Sequence, residues 1–123
     1  MSKVLISLKQ EYYEKIISGE KKFEFRRRIF KRDIDSIVIY VTSPVKMVMA
    51  EFTAKNIHQG EPGELWDISY PYTGIEKPLF DKYFSGTTNG YAIEIGRVII
   101  YEQPFSIKNF PSVRKAPQSF VYI

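Results

Sequence analysis

The chain has 123 residues, 44% hydrophobic and 15% aromatic, enough to bury ~two thirds of its unfolded surface in one core and far from the polar make-up of disordered chains. Cysteine is absent, which excludes disulfides, thiolate metal sites and thiol nucleophiles. The net charge of +4 is uneven: residues 1–60 carry the excess, and Lys21, Lys22, Arg26, Arg27, Arg28, Lys31 and Arg32 crowd around one acid, Glu24, a density that attracts polyanions.

In chain order, Val4–Leu8 predicts a short buried strand, and Gln10–Ser18 predicts a helix whose apolar stripe is Tyr13, Ile16 and Ile17. Gly19 is its stop, because glycine enters the left-handed conformation without steric cost. From Lys22 to Arg28 the period changes to two, with Phe23 and Phe25 on a core face and Lys22, Glu24, Arg26 and Arg28 on a charged one; Arg27 is expected to point the other way. Asp35–Thr42 and Lys46–Ile57 are β-rich runs joined by Ser43-Pro44-Val45, which predicts an antiparallel hairpin, with Met47 and Met49 as sheet filler.

Gly60–Gly63 breaks the sheet, and Glu64–Tyr70 and Lys77–Phe84 predict a short helical insert, its second helix opened by Pro78 and closed by Gly86. Gly90–Tyr101 returns to strand, with Tyr91, Ile93 and Ile95 alternating against Ala92 and Glu94 and a bulge expected at Gly96. A Pro-rich loop (Pro104, Pro111, Pro117) leads to a last strand, Gln118–Ile123. Five or six mostly antiparallel strands with helices between them predict a small barrel of the α+β class. No repeat or linker divides the chain, so residues 1–123 are expected to form a single domain. Residues 1–8 are too few for a signal-peptide core and no apolar run approaches the ~20 residues of a membrane span, so the expectation is a cytoplasmic protein without membrane insertion.

The chemistry concentrates in Gly19-x-Lys21-x-x-Glu24-x-Arg26, where the first helix turns into a strand. A helix ending in glycine projects Lys21 from a tight turn, and the following strand aims Glu24 and Arg26 to a common side. Three ionisable groups of mixed sign converge there, and in a partly desolvated cleft they perturb one another's pKa. An ion pair of Glu24 with Arg26 or Arg28 that merely holds the strands together is the structural alternative. Trp66, Tyr70 and Tyr72 in the insert offer rings for stacking on a base, against the alternative that Trp66 is core. Ser43 offers a hydroxyl at the cleft rim or caps a turn, and the Gln118 amide can pair with a base edge. His58, the single histidine, is expected at the surface, and no metal site or cofactor is predicted.

The stretch from Leu5 through Arg28, the Tyr40–Pro44 strand end, the Gly60–Trp66 region and Pro117-Gln118-Ser119-Phe120 together resemble the ASCH domain, a branch of the PUA-like superfamily, over nearly the whole chain. The family marker G-x-K-x-x-E-x-R is matched at every fixed position by Gly19, Lys21, Glu24 and Arg26. The resemblance implies a PUA-like β-barrel with a helix before the second strand, and a cleft that holds RNA or a nucleotide, with DNA as an alternative. On that basis Lys9, Lys21, Glu24, Arg26, Arg28, Ser43, Trp66 and Gln118 are the candidate ligand-binding residues, and Lys21 and Glu24 the candidate catalytic pair. Some relatives are amidohydrolases acting on N4-acetylcytidine through a Lys, a Thr nucleophile three residues later and a distant Glu. Here the Thr position is Glu24, and a carboxylate does not replace an activated hydroxyl in that step. Other relatives have been proposed to cleave RNA. Three readings follow: an RNA- or nucleotide-binding module, a hydrolase of RNA or a modified nucleoside, and a basic domain that docks an acidic protein. The oligomeric state is not readable from the sequence.

Overall fold

The structure, a computed structural model, describes residues 2–123. Strand β1 (Lys3–Leu8) leads into helix α1 (Gln10–Ser18), which Gly19 ends in the left-handed conformation at φ 87°, its N–H donating to the Ile16 carbonyl. Tyr13 and Ile16 are buried as the stripe requires, but Ile17 is 37% exposed.

Strand β2 is only Phe23–Arg26, shorter than the periodicity of Lys22–Arg28 predicts, because its partner accepts it over four residues. The hairpin of β3 (Ser36–Val41) and β4 (Met47–Gly60) forms as expected around Ser43-Pro44. Helices α2 (Pro62–Ser69) and α3 (Lys77–Tyr83) form the insert, each with proline in its first turn. Strand β5 extends over Gly90–Phe105, and β6 is Phe120–Tyr122, leaving Gln118 and Ser119 in the loop before it. Thr53 occupies the space a Cβ at Gly96 would need, with its Oγ1 only 2.5 Å from that position, and the β4–β5 register slips beside it at Ala54.

Among the described residues the strands form one six-stranded sheet in the order β2-β5-β4-β3-β1-β6, curled into a half-barrel, in which only the β1–β3 pair is parallel. Every residue of β3 is buried, as the apolar run Ile37–Val41 and the strand's place between β1 and β4 demand. One core cluster lies inside the curl around Ile6, Ile37, Ile39 and Phe52. A second, Phe23, Phe25, Leu65, Phe80, Phe84 and Ala92, fixes the helical insert to the opposite face of β2 and β5. Ala92 and Ile93 are therefore both buried, against different clusters, where simple alternation expects only Ile93 inside.

The edge strands β2 and β6 do not pair with each other. Side chains span their seam: Arg26 Nη1 donates to the Ser119 carbonyl at 3.0 Å, the Tyr122 hydroxyl accepts from the Lys31 backbone N–H at 2.9 Å, and the Phe30 and Phe120 rings meet edge to face. At that seam the molecule opens its cavity.

Candidate functional site

Past Gly19 the chain doubles back, the Lys21 N–H donating to the Lys15 carbonyl at 3.0 Å, and Lys21 forms an isolated bridge with Thr73 in the loop between α2 and α3. This carries the Lys21 side chain inward. It is 4% exposed, its Nζ donates to the Thr73 carbonyl at 3.0 Å, stands 4.0 Å from Glu24 Oε1, and lies over the Phe25 ring at 4.8 Å. Gly74, at φ +66°, lies flat against the lysine stem: a Cβ there would fall 2.3 Å from Lys21 Cβ. Glu24 is equally buried and holds Arg26 Nη2 at 2.9 Å through Oε2. The period-two reading made the Glu24 side of the strand a charged face; it is in fact an enclosed one, and the charges survive there because they pair.

Burial drives the Lys21 ammonium down to about 8 from 10.5; Glu24 opposes that shift, while Lys15 and Arg26 add to it. Arg26 Nε is buried without a hydrogen-bond partner among the described residues.

These three side chains line a cavity of about 880 Å³ between the half-barrel, the start of α1 and the insert. Lys9, Arg28 and Gln118 also line it, Lys9 and Arg28 as exposed cations at the rim. Ser7 Oγ donates to the Pro117 carbonyl at 2.8 Å, which ties the loop carrying Gln118 and Ser119 to β1. Ser43 is exposed in the β3–β4 turn and does not line the cavity. Trp66 does not line it either. Its ring packs against Phe80 at 5.0 Å and beside Tyr70, half-buried on the second core cluster. Tyr70 and Tyr72 are exposed, Tyr72 beneath the Lys22 ammonium at 4.2 Å. His58 Nε2 lies 3.1 Å from Glu94 Oε1, partly buried on the sheet.

Arg27 corrects the sequence expectation. Because β2 ends at Arg26, the alternation that would send Arg27 away stops one residue too soon, and Arg27 lines the cavity together with Arg26 and Arg28. Several lining residues were not singled out from the sequence: Tyr12, Tyr83 and the segment Thr87-Thr88-Asn89. Tyr12 is three positions after Lys9, close enough on a helix surface to share its side, and the polar run between α3 and β5 was a legible loop. Nothing local places Thr73 and Gly74 against Lys21.

The arrangement offers a buried ammonium 4.0 Å from a buried carboxylate, a guanidinium fixed beside them, and exposed cations at the mouth. Among the described residues, no group of three or more His, Asp or Glu is placed to hold a metal ion, and no helix is long and apolar enough to cross a membrane.

The chain is similar to several known proteins. The family described as ASCH domain matches residues 6–106. An ASCH domain-containing ribonuclease of Zymomonas mobilis is 36% identical over 89 residues, 72% of this chain and 60% of that protein. The ATP synthase subunit alpha of Ureaplasma parvum is 24% identical over 122 residues, 98% of this chain but only 15% of that protein. The crystal structure of ASCH from Zymomonas mobilis superimposes with a TM-score of 0.86 at 30% identity, covering 98% of this chain and 87% of that one.

Proposed function

The chain belongs to the ASCH domain family, and from that premise we propose that it binds RNA or a nucleotide in the cavity at the half-barrel seam. One observation carries the reading: the buried Lys21 and Glu24 and the partly buried Arg26 line the same cavity as the exposed cations Lys9 and Arg28. Phosphates are attracted to Lys9 and Arg28, Glu24 orients Lys21 or accepts from a base amino group, and Gln118 meets a base edge. Each phosphate contact displaces counterions, so affinity falls with salt. Anisotropy titrations of a labelled single-stranded RNA from low to high salt test this. A steep log–log slope that becomes shallower by about one for Arg28→Ala is expected. An affinity indifferent to salt refutes the phosphate role.

A second reading, hydrolysis of RNA, is favoured by the depressed pKa of Lys21, which brings its ammonium close to the range where it both gives and takes protons, with Glu24 4.0 Å away. The Zymomonas relative named a ribonuclease supports the same substrate class. Incubation with end-labelled RNA and with N4-acetylcytidine separates the two readings. RNA cleavage abolished by Lys21→Ala supports catalysis; no turnover of either substrate leaves the binding module.

A further inference from the structure

We propose that Arg27 and Tyr83 form a stacking platform for a nucleobase on the wall of the cavity, an assignment that rests on the nucleic-acid reading above. The Arg27 guanidinium carbon lies 5.1 Å from the centre of the Tyr83 ring, and both residues line the cavity. Tyr83 is held from behind: the Phe84 ring packs on it at 4.9 Å and 72°, and Phe84, itself 3% exposed, belongs to the second core cluster. Arg27 is exposed and, among the described residues, has no carboxylate within ion-pair distance.

The contrast with its neighbours assigns the role. Lys21 and Arg26 are committed to Glu24 and to backbone carbonyls, and Arg28 has no aromatic ring under it. Among the described residues, Arg27 alone of the lining cations is both unpaired and laid over a ring fixed by the core. A planar cation with one side on an aromatic ring presents its other side to the π face of a base, in the order Tyr83, Arg27, base. Lys9 and Arg28 at the same rim then take the flanking phosphates. Such stacking is tolerant of base identity, so the platform selects for the presence of a base and not for its sequence.

The test uses two probes with equal numbers of phosphates, an eight-residue oligouridylate and an abasic ribose-phosphate oligomer, titrated against the intact protein. Arg27→Lys keeps the charge and removes the plane; Tyr83→Leu keeps apolar bulk and removes the ring, with circular dichroism confirming that each variant folds. The expected result is a loss of about tenfold in affinity for the oligouridylate in both variants, with the abasic probe unchanged within about twofold. Should Tyr83→Leu fail to fold, the surface variant Arg27→Lys decides by itself. Equal weakening of both probes, or no change in either, overturns the platform while leaving the cavity as a phosphate site. A wild-type protein that binds neither probe overturns the nucleic-acid reading as well.

Discussion

The contact between Gly74 and Lys21 makes a quantitative demand. In Gly74→Ala the new methyl group meets two costs. The backbone sits at φ +66°, where a non-glycine residue costs ~1 to 2 kcal/mol. The added carbon would also lie 2.3, 2.4 and 2.7 Å from Lys21 Cβ, Cγ and Cδ, closer than real atoms approach, so the lysine must withdraw. Withdrawal breaks the 3.0 Å bond from its buried ammonium to the Thr73 carbonyl, worth ~1.5 to 3 kcal/mol for a charged donor. The total is ~2.5 to 5 kcal/mol. In a Lys21→Gly background the collision disappears, and only the backbone cost of ~1 to 2 kcal/mol remains. Glycine is required at position 21 for this purpose because Cβ is the nearest colliding atom. Urea denaturation of the four proteins at pH 7 measures the difference, with a coupling of ~1.5 to 3 kcal/mol expected for groups in such contact. Equal costs in both backgrounds would show that the loop yields freely and that Lys21 owes its position to something else.

Lys21 also predicts a pH dependence. Its folded pKa is lowered to about 8 against 10.5, so between those values the unfolded chain binds the additional proton and stability rises with pH. Relative to Lys21→Met, wild type therefore gains a few kcal/mol between pH 8 and 10.5 in chemical denaturation, whereas any ligand affinity that depends on the ammonium falls above pH 8. Phe80→Ala removes a ring that is 1% exposed and packs edge to face with Phe25, Trp66 and Phe84. A loss of ~3 to 5 kcal/mol by the same denaturation assay is expected. Tyr101 Oη donates to Glu51 Oε1 at 2.8 Å. Burial pushes the Glu51 carboxyl up, but this bond and Lys3 outweigh it and hold the group below its usual range, so its stabilisation is present at neutral pH and lost on acidification. Tyr101→Phe is expected to cost ~1 to 2 kcal/mol at pH 7 and to flatten the acid side of a melting-temperature profile.

Residue order alone determined the elements with strong local signals. The α1 stop follows from glycine's access to positive φ at Gly19, the β3–β4 hairpin from two β-rich runs about a short proline turn, and the family from Gly19, Lys21, Glu24 and Arg26 at fixed spacing. Tertiary structure decided what those residues face. Arg27 joins the cavity because β5 accepts only four residues of β2, a limit set by a partner some 70 positions away. Trp66 turns toward Phe80 and not toward the cavity because the second core cluster needs its area, and Lys21 is buried because Thr73 and Gly74 close over it. Periodicity records which side of one element is apolar; a cavity is a property of several elements meeting, and the chain encodes that meeting only through the packing of the whole.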